Sequence, residues 1–180
     1  MTTRPTTTRL LVHAAVLLIG SAALSGCAPQ VTPTPTPVFA SEDEAFAAAE
    51  EVYREFIRRL NDVDLSDTNT FEPLFELSSG SFEKADREAY SAMHAEGYVM
   101  HGETRLVSFE AAESPPPHNT VVAHICLDVS SVNVVDSAGV SQVEEGRPDL
   151  VPLEVTFVAD RHNVMLIDSA VTRQDASCNG

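Results

Sequence analysis

The hydrophobic pattern of this 180-residue chain changes its period at Gly97, and this change limits the fold more than any other feature. Before Gly97, apolar residues recur every three to four positions, which is the spacing of an amphipathic helix. After Gly97, apolar and polar residues alternate and β-branched residues become common, which is typical of half-buried strands. Helices followed by closely connected strands predict an α+β domain with its helices on one face of an antiparallel sheet.

The first part of the chain predicts two long helices and a short one. Ser41 and Glu44 have the spacing of a capping box, and they begin an amphipathic helix over residues 42–61. A proline limits the next helix to a short one at residues 71–77. A further helix is expected over residues 81–97, where the last residue is a glycine that suits a left-handed C-cap.

The second part of the chain predicts five strands. Their expected ranges are residues 98–110, 119–130, 131–136, 151–159 and 164–173.

Short polar segments separate these strands. Residues 136–139 and 160–163 are expected to be hairpin turns, and residues 114–118 a rigid proline-rich connector. The connections are all short, so the sheet is expected to be antiparallel.

Strand parity indicates which side chains face the core. Over residues 121–129 the odd-numbered positions are all apolar, and over 153–159 the odd-numbered positions form a second apolar set. We expect both sets to face inward. His124 and Asp128 are then turned outward, which removes the most evident acid–base pair from the interior.

Residues 1–26 are expected to be an export signal and not part of the fold. A basic start with Arg4 and Arg9 precedes a mostly apolar run over residues 10–23. This run is shorter than the roughly 20 apolar residues that span a bilayer, which favours a cleaved signal. An uncleaved membrane anchor is the alternative.

The residues Leu24, Ser25, Gly26 and Cys27 resemble a bacterial lipobox. In that family the cysteine receives a diacylglyceryl thioether, and the peptide is cut before it. The resemblance implies a lipoprotein that begins at Cys27 and is held at the extracytoplasmic face of the cell membrane, with the bilayer as its partner. Residues 27–40, rich in proline and threonine, are then a tether, and residues 41–180 form the globular domain.

The charge of the expected mature chain argues against polyanionic partners. Without the two arginines of residues 1–26, the chain has nine basic and 27 acidic residues, which gives a formal charge of −18. Such a surface repels phosphate backbones and anionic lipid headgroups. We therefore expect no nucleic-acid binding, and membrane attachment through the lipid alone.

Cys126 and Cys178 remain once Cys27 is acylated. An even pair in an oxidising compartment favours a structural disulfide. A redox-active or metal-binding pair is the alternative, but the chain has no CxxC motif and no histidine ligands at suitable spacing. We expect no metal and no cofactor.

The order of helix, short helix, helix and curved meander resembles the nuclear transport factor 2-like fold, which includes SnoaL-like proteins. Residues 125–130 and 147–152, with the late Cys178, are similar to exported actinobacterial lipoproteins of this type. The resemblance covers residues 41–180 and implies a cone-like domain with a space between sheet and helices. Ketosteroid isomerases and polyketide cyclases share that fold.

No catalytic motif accompanies this resemblance, so no catalytic residue is assigned. The pocket candidates are polar residues of the predicted domain: Tyr53, Tyr90, Tyr98, His101 and Asp168. We expect a ligand- or partner-binding envelope module. An isomerase-, cyclase- or dehydratase-type pocket enzyme and an accessory subunit of a membrane complex are the alternatives.

The acidic segment 62–67 partly resembles a calcium-binding loop. The motif requires glycine at its sixth position and glutamate at its twelfth, where this chain has Asp67 and Pro73. A polar loop that ends the first helix is the favoured interpretation, and a weak surface calcium site is the alternative.

Overall fold

Three helices pack against an antiparallel sheet in the computed structural model, which describes residues 38–174 and Cys178. The helices are α1 (Glu42–Asn61), α2 (Glu72–Phe75) and α3 (Gly80–Ala95), with a 3₁₀ turn at Thr68–Thr70. The strands are β1 (Val99–His101), β2 (Arg105–Glu113), β3 (Thr120–Asp128), β4 (Asn133–Val135), β5 (Leu150–Ala159) and β6 (Met165–Thr172). The expected α+β class is confirmed.

The strands form two antiparallel sheets. The larger has four strands in the order β2–β3–β5–β6, and the smaller pairs β1 with β4. The expected turn at residues 160–163 joins β5 to β6, and the expected connector at residues 114–118 joins β2 to β3. The turn at residues 136–139 also forms, but a single bridge between Val135 and Ser141 follows it in place of a full hairpin.

The single strand expected over residues 98–110 is wrong, because the chain divides there into β1 and β2. Gly102 lies at the division with a φ of +84°. Beside it, the Ser131 hydroxyl accepts a hydrogen bond from the Glu103 N–H and donates one to the Glu103 carbonyl. This contact turns β1 away to pair with β4.

Replacing Gly102 with alanine is expected to destabilise the domain by at least about 2 kcal/mol. The new Cβ would overlap the Ser131 carbonyl, and a φ of +84° disfavours any side chain. Gly139→Ala is the matched control, because Gly139 has a φ of +79° with open space around it. Urea unfolding followed by circular dichroism measures both variants. Equal losses would contradict the role of the backbone contact.

The core lies between the helices and the inner face of the larger sheet. Its fully buried large side chains come from both layers: Tyr53, Leu74, Val121, Val155, Phe157 and Ile167. The odd-numbered apolar positions of β3 from Val121 to Leu127 are all buried, which confirms the parity prediction. His124 and Asp128, on the opposite face, are partly exposed.

The packed region begins before the first helix. Phe39 is only 9% exposed and belongs to the core, while the Val38 N–H donates to the side-chain oxygen of Asn119 at 3.3 Å. These residues fall within the expected tether, so the described part of the domain starts ahead of Ser41. At the other end of α1, the Asn61 amide makes two hydrogen bonds of 2.9 Å to the backbone of Thr104.

Candidate functional site

Aromatic rings fill the space between α1 and the larger sheet. The Tyr53 and Phe157 ring centroids are 6.0 Å apart in an edge-to-face arrangement, and Phe109 packs on Phe157 at the same distance. Phe56 adds a further contact to Phe82 of α3 at 5.3 Å. At this point the interior is therefore packed with side chains.

One partly buried carboxyl group, with one of its oxygen atoms fully buried, lies on helix α3. Helix α3 places Asp86 four residues after Phe82 and four before Tyr90, so all three lie on one face of the helix. The Asp86 Oδ2 atom is buried and has no hydrogen-bond partner among the described residues. Burial raises the pKa of Asp86 from 3.8 to about 6. The arrangement is energetically costly, because the ionised carboxyl is poorly solvated.

Two tyrosines share this environment. Burial raises the pKa of Tyr53 and of Tyr90, and the negative charge of Asp86 raises both further. Both phenols therefore keep their protons and can act as hydrogen-bond donors. We call Asp86, Tyr53 and Tyr90 the interior carboxyl cluster.

The interior carboxyl cluster has one property of an acid–base site, a carboxyl group whose pKa lies near neutrality. A carboxyl with a pKa near 6 exchanges its proton close to neutral pH, which is the range that general acid–base catalysis uses. For catalysis, a reacting group would have to come within hydrogen-bond distance of Asp86.

Of the five pocket candidates, Tyr53 and Tyr90 are buried, and the charge of Asp86 raises the pKa of both. Tyr98 lies just before β1, is half-buried, and its N–H donates to the Met93 carbonyl. His101 ends β1, where it is exposed opposite Asn133. Neither Tyr98 nor His101 has an interaction with the cluster among the described contacts.

Asp168, the fifth candidate, holds α3 against β6. Its carboxylate accepts a hydrogen bond from the Ser79 hydroxyl at 3.1 Å, and the Ser79 N–H donates to the Ile167 carbonyl at 2.8 Å. Gly80 lies so close to Asp168 that a Cβ there would overlap the carboxylate. A carboxylate at a helix N-terminus is stabilised by the helix dipole, so the contacts of Asp168 are those of a structural residue.

Sequence reasoning missed Asp86, the central residue of the cluster. A signal was present, since Asp86 interrupts an apolar stripe formed by Phe82, Tyr90 and Met93. A lone carboxylate at a core position of an amphipathic helix is unusual, because burial without a partner destabilises the charge.

The acidic loop after α1 is organised by its own hydrogen bonds. Asp64 accepts from the N–H and the hydroxyl of Ser66, which lowers its pKa, and Asp67 accepts from the N–H of Asn69. Across residues 38–174 and Cys178, no three His, Cys, Asp or Glu side chains are grouped so that they could bind a metal ion.

Cys126 and Cys178 lie at the separation of a disulfide, with 5.6 Å between their Cα atoms. Cys126 is on the outer face of the larger sheet, opposite the helices, so the pair ties the chain beyond β6 back to β3. Cys27 and the expected signal, with the tether up to residue 37, lie outside the described residues. Within the described part of the chain, no helix is both long and apolar enough to cross a bilayer.

Comparison with known proteins assigns no family to the chain. No protein-family model and no curated protein matches its sequence. Among solved structures, the intermembrane space region of the chloroplast protein ARC6 has a TM-score of 0.49 at 11% identity, over 70% of this chain and 94% of that one.

Two bacterial structures are similar at a comparable level. The protein Aln2 from a Streptomyces species has a TM-score of 0.45 at 15% identity, over 75% of this chain and 93% of that one. A Catenulispora acidiphila protein in complex with S-DNPA has a TM-score of 0.45 at 11% identity, over 71% of this chain and 90% of that one. Similarity this low assigns no function.

Proposed function

We propose that this chain is a lipoprotein, acylated at Cys27, whose extracytoplasmic domain binds a protein partner of the cell envelope. The export signal and lipobox support the location, and the formal charge of −18 on the mature chain is consistent with attachment by lipid and not by basic residues. An accessory subunit of a membrane complex is one form of this role. The resemblance to nuclear transport factor 2-like proteins is compatible with binding and with catalysis.

The packed interior is the observation that carries the proposal of a protein partner. Sites for small ligands are generally concave cavities of about 300–1,000 Å³. Here Tyr53 and Phe157 are at most 1% exposed and their ring centroids lie 6.0 Å apart, so side chains fill the space between α1 and the sheet at this point. This packing favours recognition at the surface of the domain.

Acylation is tested by labelling cells with radioactive palmitate. The wild-type protein is expected to incorporate label and to remain with the membrane, whereas Cys27→Ser is expected to lose both properties, since the thioether forms on that thiol. Cys178→Ser is the control that removes a different thiol and keeps the label. Label in the Cys27→Ser protein would contradict acylation at this position.

The partner is tested by native mass spectrometry of the protein extracted from membranes in mild detergent. A protein partner adds a mass of at least several kilodaltons, and a small ligand adds only hundreds of daltons. Recovery of the bare monomer under every extraction condition would contradict the binding role.

A pocket enzyme is the second candidate, and the interior carboxyl cluster favours it. An unpartnered buried carboxyl is a feature that active sites keep at the expense of stability. A small bound mass that is present in the wild-type protein and absent from Asp86→Asn would support the enzyme. The same small mass in both proteins would place the ligand elsewhere.

A further inference from the structure

We propose that two copies of this chain form a dimer by pairing their β2 strands edge to edge about a two-fold axis at Phe109. This inference goes beyond the binding of an envelope partner, because the occupant here is a second copy. Strand β2 lies at one end of the four-stranded sheet, where only one of its edges is paired, with β3. Its outward edge is the proposed interface.

The outward edge of β2 carries backbone groups that can pair with another strand. In an antiparallel ladder, successive residues direct their N–H and C=O groups to alternate sides of the strand. The Val129 N–H, directly after β3, donates towards β5, so the even-numbered residues of β3 bond to β2. Their partners are Ser108 and Glu110, which leaves Phe109 and Ala111 directed outward. Among the described residues, no hydrogen bond reaches these outward groups.

The edge at the other end of the sheet is already partly paired. The Ile167 N–H of β6 donates to the Leu77 carbonyl at 3.0 Å, and the Ser79 N–H donates to the Ile167 carbonyl at 2.8 Å. Covering an edge strand in this way protects it from pairing with other chains. In the described part of the chain, no segment pairs with the outward edge of β2, and Val107 on that strand is 52% exposed.

The sequence of β2 is complementary to itself when the strand is reversed about its centre. Phe109 is the middle residue of Arg105–Glu113, so a two-fold axis there pairs the whole strand with its copy. This axis places Arg105 of one copy opposite Glu113 of the other, and it does so twice. It also places Ser108 opposite Glu110. The strand therefore matches charge with opposite charge in a second copy of itself.

The register with β3 places both charged residues on the same face of the sheet. Arg105 pairs with Asp128 and Glu113 with Val122, which are outward-facing positions of β3. One register shift lies on each side of Phe109, so the two halves of β2 remain matched when they face each other. Directly opposite residues of antiparallel strands have Cβ atoms about 4.5–5.5 Å apart, which is close enough for an ion pair.

Both charged residues are accessible to a second copy. Arg105 makes one ion-pair contact, with Glu103, at 3.8 Å between exposed side chains. Glu113 is exposed and has no ion pair among the described residues. An exposed ion pair as long as that of Arg105 and Glu103 contributes little to stability. Contacts across the axis would give both residues a directly opposed partner.

The charge pairing is tested by sedimentation equilibrium of the full-length protein in mild detergent. The wild-type protein is expected to dimerise, and Arg105→Glu to weaken the dimer about tenfold, because two attractive pairs become repulsive. Glu113→Arg is expected to weaken it equally, although this change lowers the net negative charge. The double reversal Arg105→Glu/Glu113→Arg is expected to restore the affinity to within about threefold of wild type.

A matched control separates this pairing from general repulsion between acidic chains. Lys84→Glu makes the same change in net charge as Arg105→Glu, on an exposed position of α3. It is expected to change the dimer affinity by less than about twofold, since surface charges far from the interface are screened by salt.

Cysteine cross-linking tests the register without relying on charge. Two positions eight residues apart on one strand are separated by about 25 Å and cannot form a disulfide within one chain. Under oxidising conditions, Arg105→Cys/Glu113→Cys is therefore expected to give a covalent dimer on a non-reducing gel. Arg105→Cys alone and Glu113→Cys alone are expected to stay uncrosslinked, whereas a mixture of these two single variants is expected to form the dimer.

Four results would overturn the proposal. They are a wild-type protein that stays monomeric at every concentration, a double cysteine variant that does not cross-link, a double charge reversal that keeps the wild-type circular dichroism but does not restore the dimer, and a foreign protein that Arg105→Glu releases in place of a second copy. Palmitate labelling and the mass of an envelope partner are measured independently. Failure of the dimer would therefore leave the function proposed above intact.

Discussion

Replacing Cys178 with serine is expected to lower the free energy of unfolding by about 4 kcal/mol. The structure places Cys126 and Cys178 at bonding separation across 52 residues of sequence, and closing so long a loop removes much of the conformational freedom of the unfolded chain. A loss of this size is a large share of the roughly 5–15 kcal/mol that typically stabilises a domain. Urea unfolding under non-reducing conditions measures it.

Two comparisons show whether the crosslink causes this loss. The double variant Cys126→Ser/Cys178→Ser is expected to be little less stable than Cys178→Ser, because a single change already removes the bond. Adding a reducing agent should lower the stability of the wild-type protein and leave Cys178→Ser unchanged. Two free thiols in the untreated wild-type protein, detected by alkylation and mass analysis, would reject the disulfide.

Replacing Asp86 with asparagine is expected to stabilise the protein at pH 8 and to remove a pH dependence that the wild-type protein shows below neutrality. The pKa of Asp86 is raised by burial from 3.8 to about 6, so between these values the folded state binds more protons than the unfolded state. Stability therefore falls as pH rises from about 4 to about 6. The full loss, reached above pH 6, is about 3 kcal/mol.

Thermal unfolding at pH 4 and at pH 8 separates this effect from the general acid sensitivity of carboxylates. Asp86→Asn is expected to raise the melting temperature at pH 8 relative to wild type and to leave it nearly unchanged at pH 4, where Asp86 is mostly protonated. Glu88→Gln, an exposed change on the same helix, is expected to have little effect at either pH. Equal behaviour of the two variants would show that Asp86 is well solvated.

The first helix was predictable because local chemistry determines it. The Ser41 hydroxyl accepts from the Glu44 N–H at 3.2 Å, as the capping box requires, and the Glu44 carboxylate accepts from the Ala40 N–H at 2.8 Å. Helix α1 runs from Glu42 to Asn61, as its apolar spacing indicated. The inner face of β3 followed from simple alternation for the same reason.

The division between β1 and β2 depends on contacts that are distant in sequence. Gly102 lies 29 positions before Ser131, and no local sequence pattern predicts the contact between these two residues. The pairing of β1 with β4 depends on the same meeting. Sequence patterns indicate that a segment is extended, whereas its partner is selected by the packing of the whole domain.

The candidate site was only partly predictable for a similar reason. The sequence indicates Tyr53 and Tyr90 as pocket candidates, but the residue that sets the charge and proton affinity of the cluster is Asp86. Its unusual properties come from burial and a missing hydrogen-bond partner, which are tertiary effects. Asp168 is also a pocket candidate by sequence, but its contacts with Ser79 and Gly80 at the start of α3 are structural.

If the chain is acylated at Cys27, as we propose, the burial of Phe39 limits the distance between the domain and the membrane. Val38 is already hydrogen-bonded to Asn119 of the domain, so at most residues 28–37 separate the domain from Cys27, and a chain of this length spans at most about 35 Å. For a protein acylated at Cys27, as we propose, a partner that binds the domain must lie close to the lipid surface. The greatest distance it can have is the span of residues 28–37 plus the length of the domain. Inserting residues into segment 28–37 would increase this distance without altering any contact within the described domain.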